Sequence, residues 1–174
     1  MAPLGAQPLI AWAAQAGRRL VAEAHFVVTG KDTAFDAGRL GYERLINSTP
    51  EQGMASSLRI AAAAAQRAGA GALLILLADV PFVTAEHLAR IMEAFRENRN
   101  LPVFSRVSEG VAQPPALFPA SMFAVLQTLE GDKGARGLAA GAALIEAKGS
   151  ILLDIDTPDD LERARALLGG QIST

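Results

Sequence analysis

Two groups of aspartates stand where apolar segments of the sequence end. Asp79 directly follows the continuously apolar segment 70–78, and Asp154 and Asp156 flank Ile155 in the sequence DIDTPDDL. Because side chains alternate along a strand, both of these aspartates would point away from the face that Ile155 occupies. Carboxylates at the ends of two parallel strands can share one Mg2+ ion. Such a site would serve phosphoryl or nucleotidyl transfer, because the ion bridges phosphate oxygens.

The same carboxylates also have structural explanations. Asp79 could stabilise a turn, although Thr84 already offers the cap of the next helix. After Asp156 the sequence is typical of a helix start, with Thr157 as the cap and a proline and two acids at 158–160. These roles leave Asp156 itself unexplained, so the ligand interpretation and the structural interpretation both stay open.

A polar segment, NSTPEQGMASSL at 47–58, runs into an alanine-rich helix. The free backbone N–H groups at a helix start, together with Ser56 and Ser57, could bind an anion or the edge of a nucleobase. Gly53 would permit a close approach of backbone to ligand. A capped helix start without any ligand explains the same residues.

The sequence GDKGAR at 131–136 places two basic residues, one acid and two glycines in six positions between apolar runs. Two cations in a short glycine-containing loop suit a phosphate-bearing ligand. A solvated turn ahead of a helix is the alternative.

The remaining composition excludes several classes of site and partner. The chain has no cysteine, which removes disulfides and thiolate sites and fits a reducing cytoplasm. Its two histidines, His25 and His87, have no metal-ligand spacing. A net charge of −2 does not favour a nucleic-acid partner, and the longest apolar run is too short to span a membrane. We expect one globular domain over residues 1–174, with no signal peptide.

Strand signals alternate with helix signals along most of the chain. The expected strands are 24–29, 43–47, 70–78, 101–107, 116–118 and 151–155. The expected helices are 8–20, 55–68, 84–98, 122–129, 135–142 and 157–168. This alternation predicts an α/β fold with a mostly parallel sheet and helices on both faces, in which ligands bind at the carboxyl ends of the strands.

Taken in order, four segments resemble the molybdenum cofactor cytidylyltransferase family within the MobA-like nucleotidyltransferases. They are NSTPEQGMASSL (47–58), LLADVPFVT (76–84), PALFPASMFAVLQTLEGDKGARGL (115–138) and DIDTPDDL (154–161). Their order and spacing fit across most of the chain, and the combination is more specific than any one segment.

The resemblance implies a Rossmann-like, three-layer α/β/α nucleotidyltransferase domain. It implies transfer of CMP from CTP to the phosphate of molybdopterin, with release of pyrophosphate and with Mg2+ as the cofactor. Protein partners among the maturation factors of molybdoenzymes would fit this role.

The resemblance also implies roles for individual residues. Asp79 would be the main metal ligand and Asp156 the second acid. The positions implied for nucleotide binding, besides Asp79, are Asn47, Gly53, Ser56 and Ser57. The positions implied for acceptor binding are Gln113, Pro114, Asp132, Lys133 and Arg136.

The sequence departs from this family in two places. The family opens with a strand and a triphosphate-binding loop of the form LAAG-x-S-x-R-x-G-x-x-K, whereas MAPLGAQPLIAWAA at 1–14 resembles the family's segment directly after that loop. We therefore expect the first strand to be missing and transfer by this chain to be poor or absent. Ala112 stands where the family usually has a glycine, which puts the pterin assignment in more doubt than the nucleotidyl transfer.

Three explanations of the first departure stay open: a misassigned start or a cut chain, replacement of the strand by other pairing or another chain, and a degenerate member. Two other functions also stay open. One is a related transferase that uses GTP, a sugar phosphate or phospholactate, and the other is a binding domain without catalysis.

Overall fold

The computed structural model describes residues 3–131 and 134–171. The helices are α1 (Leu9–Arg18), α2 (Met54–Arg67), α3 (Ala85–Glu97), α4 (Phe123–Leu126) and α5 (Pro158–Gln171). The strands are β1 (Pro3–Leu4), β2 (Gln7–Pro8), β3 (Phe26–Gly30), β4 (Glu43–Asn47), β5 (Ala72–Ile75), β6 (Val103–Val107), β7 (Gln113–Pro119) and β8 (Ala143–Ala147). Within these ranges no helix combines the length and apolar character needed to cross a bilayer.

The main strands form a parallel pair, β3–β4, and a four-stranded sheet in the order β5-β7-β6-β8. In the larger sheet β7 is antiparallel to both β5 and β6, while β6 and β8 are parallel. The predicted α/β fold is confirmed, and the sheet is mixed and not strictly parallel because β7 runs opposite to its neighbours. The cause is the five-residue connection 108–112 between β6 and β7, which is too short for a parallel crossover.

Helices cover both faces of the larger sheet, as the three-layer prediction required. Leu73 and Ile75 of β5 pack into a core cluster with α2 and α4. The alternate residues Ala72 and Leu74 pack into a second cluster with α1 and α3. Successive side chains of β5 thus point to opposite faces of the sheet and pack against different helical layers.

The end of the chain differs from the expected elements. Residues 151–155 do not form a strand, and the last strand is β8, which directly follows the residues 135–142 for which we expected a helix. Of that helix only a short 3-10 turn, Arg136–Leu138, is present. The alternation of polar and apolar residues around Ile155 arises instead because Ile155 packs into a third core cluster with Leu4, Leu9 and Ala164.

Candidate active site

The three aspartates singled out by the sequence meet at one place. One carboxylate oxygen from each of Asp79, Asp154 and Asp156 lies within 4.8 Å of the others. Asp79 follows β5, and its backbone carbonyl accepts a 3.0 Å hydrogen bond from the N–H of Ile155. Because the side chain of Ile155 is buried, the two aspartates beside it point outward toward Asp79.

The cluster is electrostatically unfavourable as it stands. Burial raises the pKa of the Asp79 carboxyl above its usual value, and the Asp156 charge raises it further. Burial, followed by the charges of Asp79 and Asp156, also raises the pKa of Asp154. The Oδ1 atom of Asp79 is buried and has no hydrogen-bond partner among the described residues. Closely placed oxygen donors of this kind fit a hard divalent cation, which would relieve the repulsion.

The start of α5 accounts for the other polar residues of DIDTPDDL. The N–H and the hydroxyl of Thr157 donate to Asp160 over 2.9 and 2.6 Å, and the N–H of Asp160 donates back to the Thr157 hydroxyl over 3.2 Å. These bonds, with that from Arg163, lower the pKa of Asp160 to about 2. This reciprocal capping is carried by Thr157 and Asp160 alone, so it does not explain Asp154 or Asp156.

The 47–57 loop is held by a hydrogen-bond network around Asn47. The buried amide of Asn47 donates to the hydroxyls of Ser56 and Ser57 over 2.7 and 3.0 Å, and its carbonyl oxygen accepts from the N–H of Thr49 over 3.0 Å. The Ser56 hydroxyl donates to the carbonyl of Gly53, whose φ of +79° favours glycine. Asn47, Gly53, Ser56 and Ser57 therefore lie together and shape the start of α2.

The two glycines of the GDKGAR segment lie against the same helix start. The N–H of Ala55 donates to the Gly131 carbonyl, and Gly134 is buried with a φ of +54°. A Cβ at Gly134 would lie 2.8 Å from the sulfur of Met54. Arg136 is exposed in the following 3-10 turn. The other two positions predicted for acceptor binding in this segment, Asp132 and Lys133, lie outside the described residues.

Gln113 and Pro114 open β7, where the β6–β7 pairing shifts register. Here the structure shows a contact that the sequence analysis missed. The buried ring of His87 bonds the Ser105 hydroxyl through Nε2 over 2.8 Å, and that hydroxyl donates to the Pro115 carbonyl over 2.8 Å. A histidine on the buried face of a helix was the available signal, and this network fixes the start of β7.

The fold and the cluster together define a class of protein. An α/β sheet carrying an acidic cluster beyond a strand end is typical of domains that handle phosphates through a divalent cation. The chain belongs to the MobA-like NTP transferase domain family, whose model matches residues 1–148. The predicted recognition is therefore confirmed at the level of this nucleotidyltransferase domain family.

Two curated relatives illustrate the range of the family. The purine catabolism protein PucB of Bacillus subtilis is 33% identical over 121 residues, covering 66% of this chain and 57% of the relative. A phosphoenolpyruvate guanylyltransferase of Mycolicibacterium paratuberculosis is 33% identical over 152 residues, covering 81% of this chain and 64% of the relative. The chain thus matches only about three fifths of the length of these curated relatives.

Solved structures share the fold at low identity. The Rv0371c protein of Mycobacterium tuberculosis, in complex with manganese, has a TM-score of 0.77 at 23% identity, covering 94% of this chain and 89% of that one. The 2-C-methyl-D-erythritol 4-phosphate cytidylyltransferase of Thermus thermophilus has a TM-score of 0.68 at 22% identity, covering 96% and 92%. These values confirm the Rossmann-like nucleotidyltransferase fold.

Proposed function

We propose that the chain transfers a nucleoside monophosphate from a triphosphate to a phosphate-bearing acceptor, with CTP as the donor and molybdopterin as the acceptor. The observation that carries the proposal is the meeting of Asp79, Asp154 and Asp156 beyond the end of β5. A cluster that repels itself is costly unless it binds a cation. The similarity to molybdenum cofactor cytidylyltransferases in the 47–58 segment and in GDKGAR supports the choice of substrates.

The cation in this proposal is Mg2+, with Mn2+ as a substitute. The unpartnered Oδ1 of Asp79 and the outward carboxylates of Asp154 and Asp156 would hold it. When bound, it would neutralise charge on the phosphates of the donor. All three of these ligand groups are carboxylates, so the donor set is purely oxygen, as a hard cation prefers.

The remaining predicted residues would position the two substrates. The Asn47 network fixes the start of α2, where Ser57 and the backbone beside Gly53 would contact the nucleotide. Arg136 and Lys133 would attract the phosphate of the acceptor. That phosphate is already anionic near neutral pH, so we assign no general base, and the chain's contribution is orientation and charge stabilisation.

A second candidate is guanylyl transfer to a small carboxylated phosphate. Two of the curated relatives, each at least 30% identical, are named phosphoenolpyruvate guanylyltransferases. The same three carboxylates would serve this reaction, since they would hold the cation that neutralises the triphosphate and would not contact the base.

Calorimetric titration of CTP and GTP, each with and without Mg2+, tests both candidates. We expect CTP to bind only with the cation and more tightly than GTP. Asp79→Asn should lose this binding, and Asp159→Asn, which removes an exposed aspartate outside the cluster, should retain it. Tighter GTP binding would favour the second candidate. Cation-independent binding in all three proteins would contradict the metal assignment.

A further inference from the structure

Three arginine side chains are half-buried among the described residues, and one of them lacks a partner. Arg44 and Arg59 donate to backbone carbonyls and to neighbouring side chains. The Nε atom of Arg106 is buried without an acceptor, and no ion pair within the described ranges includes this residue. A guanidinium is always charged, so burying one of its N–H groups in this way is costly. The fold thus keeps a cationic donor that it does not itself satisfy.

The carboxylate opposite Arg106 in the sheet does not fill this role. Glu146 of β8 is the partner of Arg106 in the parallel β6–β8 pairing. Its side chain is exposed and forms no ion pair with Arg106. Its backbone carbonyl accepts instead from Arg90 over 2.9 Å. The charge of Arg106 is therefore not compensated by the neighbouring strand.

Alternation along β6 places Arg106 on the face of the sheet that GDKGAR covers. Phe104 packs into the core cluster that includes Ala135 of that segment. Ser105 points to the opposite face, where its hydroxyl meets the ring of His87. The β6–β8 pairing is regular through this stretch and keeps the alternation, so Arg106 lies on the same face as Phe104. This is the side of the sheet that carries the positions predicted for the acceptor in GDKGAR.

The direction of the strands places Arg106 at the edge of the sheet that carries the aspartate cluster. β7 is antiparallel to both β5 and β6, so β5 and β6 run in the same direction. Arg106 is near the carboxyl end of β6, and Asp79 follows the carboxyl end of β5. β7 lies between these two strands, and at about 4.8 Å between neighbours their axes are about 10 Å apart. One small molecule can span that distance.

We propose that Arg106 binds an oxyanion of the acceptor, a phosphate or a carboxylate group. Its terminal nitrogens are not among the buried unpartnered atoms and make no internal bond, so they present a planar fork that matches either group. The bound anion would compensate the charge of the guanidinium and offset the cost of its burial. This inference rests on the proposed function, which brings an anionic acceptor to this edge of the sheet.

Nuclear magnetic resonance of the full chain tests the contact directly. Inorganic phosphate is the phosphate probe and acetate is the carboxylate probe, each titrated at constant ionic strength so that screening does not change. The side-chain N–H resonances of Arg106 are followed, together with the backbone N–H resonances of Val107 and Gly134. We expect at least one probe to shift the Arg106 resonances in a saturable manner.

Arg106→Gln and Arg99→Gln are the matched variants. Arg99 is exposed and precedes β6, so it lies toward the opposite end of that strand. Loss of a charge-assisted contact should raise the Kd of the effective probe by about tenfold or more in Arg106→Gln, as measured on the backbone resonances. The Kd should be unchanged in Arg99→Gln.

The outcomes separate the two sources of the anion and the two proposals. A response to phosphate alone identifies a phosphate group, and a response to acetate alone identifies a carboxylate. Arg106 resonances that respond to neither probe, or that shift without saturation, would overturn the proposal, as would equal Kd values in the two variants.

Mg2+-dependent binding of CTP is measured in the same proteins. Binding of CTP without any probe response would leave the proposed function standing and reject the role of Arg106. A probe response that depends on Arg106, in a chain that does not bind CTP, would support the anion site and count against CTP as the donor.

Discussion

The carboxylate cluster and the Asn47 loop are both polar and both were predicted to bind ligand, yet their internal bonding differs. In the loop, the amide and the carbonyl oxygen of Asn47 have partners in Ser56, Ser57 and Thr49. In the cluster, three carboxylates face one another and the Oδ1 of Asp79 has no partner among the described residues. A satisfied network stabilises the fold by itself, whereas a repelling cluster is costly without a ligand.

Asp79→Asn should produce the largest effect, on the response to divalent cations. At a concentration about 100 times the Kd, a cation bound only to the folded state stabilises it by about 2.7 kcal/mol. We expect the Tm of the wild type to rise with Mn2+ or Mg2+, and the Tm of Asp79→Asn not to respond. Asp159→Asn should respond as the wild type does.

Without a cation, the same variant should be more stable than the wild type. The pKa of Asp79 is raised in the folded state, so folding favours the neutral carboxyl. The neutral carboxyl contributes to the free energy of unfolding below the ordinary pKa of 3.8. This contribution is lost as the pH rises through the raised pKa of the folded state. A variant less stable than the wild type at neutral pH would show that the carboxylate has a structural role.

Asn47→Ala should mainly lower stability. It removes the amide that donates to two hydroxyls and the oxygen that accepts from the Thr49 N–H, for which we expect a loss of about 2–3 kcal/mol in urea unfolding. Ser57→Ala removes one 3.0 Å bond and should cost about 1 kcal/mol. If Asn47→Ala kept its stability but lost nucleotide binding, the Asn47 network would serve the ligand and not the fold, contrary to our comparison.

Gly134→Ala tests the contact between GDKGAR and the start of α2. The new Cβ would meet the Met54 sulfur at 2.8 Å in a left-handed backbone conformation, so we expect a cost of about 1–2 kcal/mol. Gly137→Ala is the matched control, since its Cβ would meet no atom within 4 Å and should change stability by less than about 0.5 kcal/mol. Equal effects in thermal unfolding would show that the packing of Gly134 is unimportant.

The smallest effect should be a pH dependence from His87. Burial, and next the Arg90 charge, lower its pKa from 6.5, so the folded state holds a neutral ring. As the pH falls, His87 therefore takes up its proton in the unfolded state before it does so in the folded state. The stability that the neutral ring contributes above pH 6.5 is lost as the pH falls through the lowered pKa of the folded state. His87→Gln should reduce this loss between about pH 7.5 and 5 in urea unfolding. If the wild type and His87→Gln lost stability in parallel as the pH fell, this prediction would be contradicted.

Local signals in the sequence were sufficient for much of the fold. The strand at 43–47 has the expected bounds, and Thr84 caps α3 by accepting from the N–H of His87. These elements depend on neighbouring residues, so periodicity and capping chemistry predict them. The position of Asp79 after a continuously apolar strand is predictable from the same kind of signal.

The missed features depend on contacts distant in sequence. Residues 151–155 alternate as a strand does, but the N–H of Ile155 bonds the Asp79 carbonyl instead of a neighbouring strand. The alanines of β8 are as compatible with a helix as with a strand, and these residues form a strand because they pair with β6. The resemblance assigned a metal role to Asp79 and Asp156 but none to Asp154, whose distance from Asp79 only the folded chain reveals.

The hydrogen bond from the Ile155 N–H to the Asp79 carbonyl has a consequence for sequence divergence. It joins the two acidic segments through backbone atoms, which every residue except proline at 155 can supply. The backbone distance between the two acidic segments is thus insulated from side-chain substitution. The outward orientation of Asp154 and Asp156 needs only that some apolar residue be buried at 155, so the geometry can persist where sequence identity has become low.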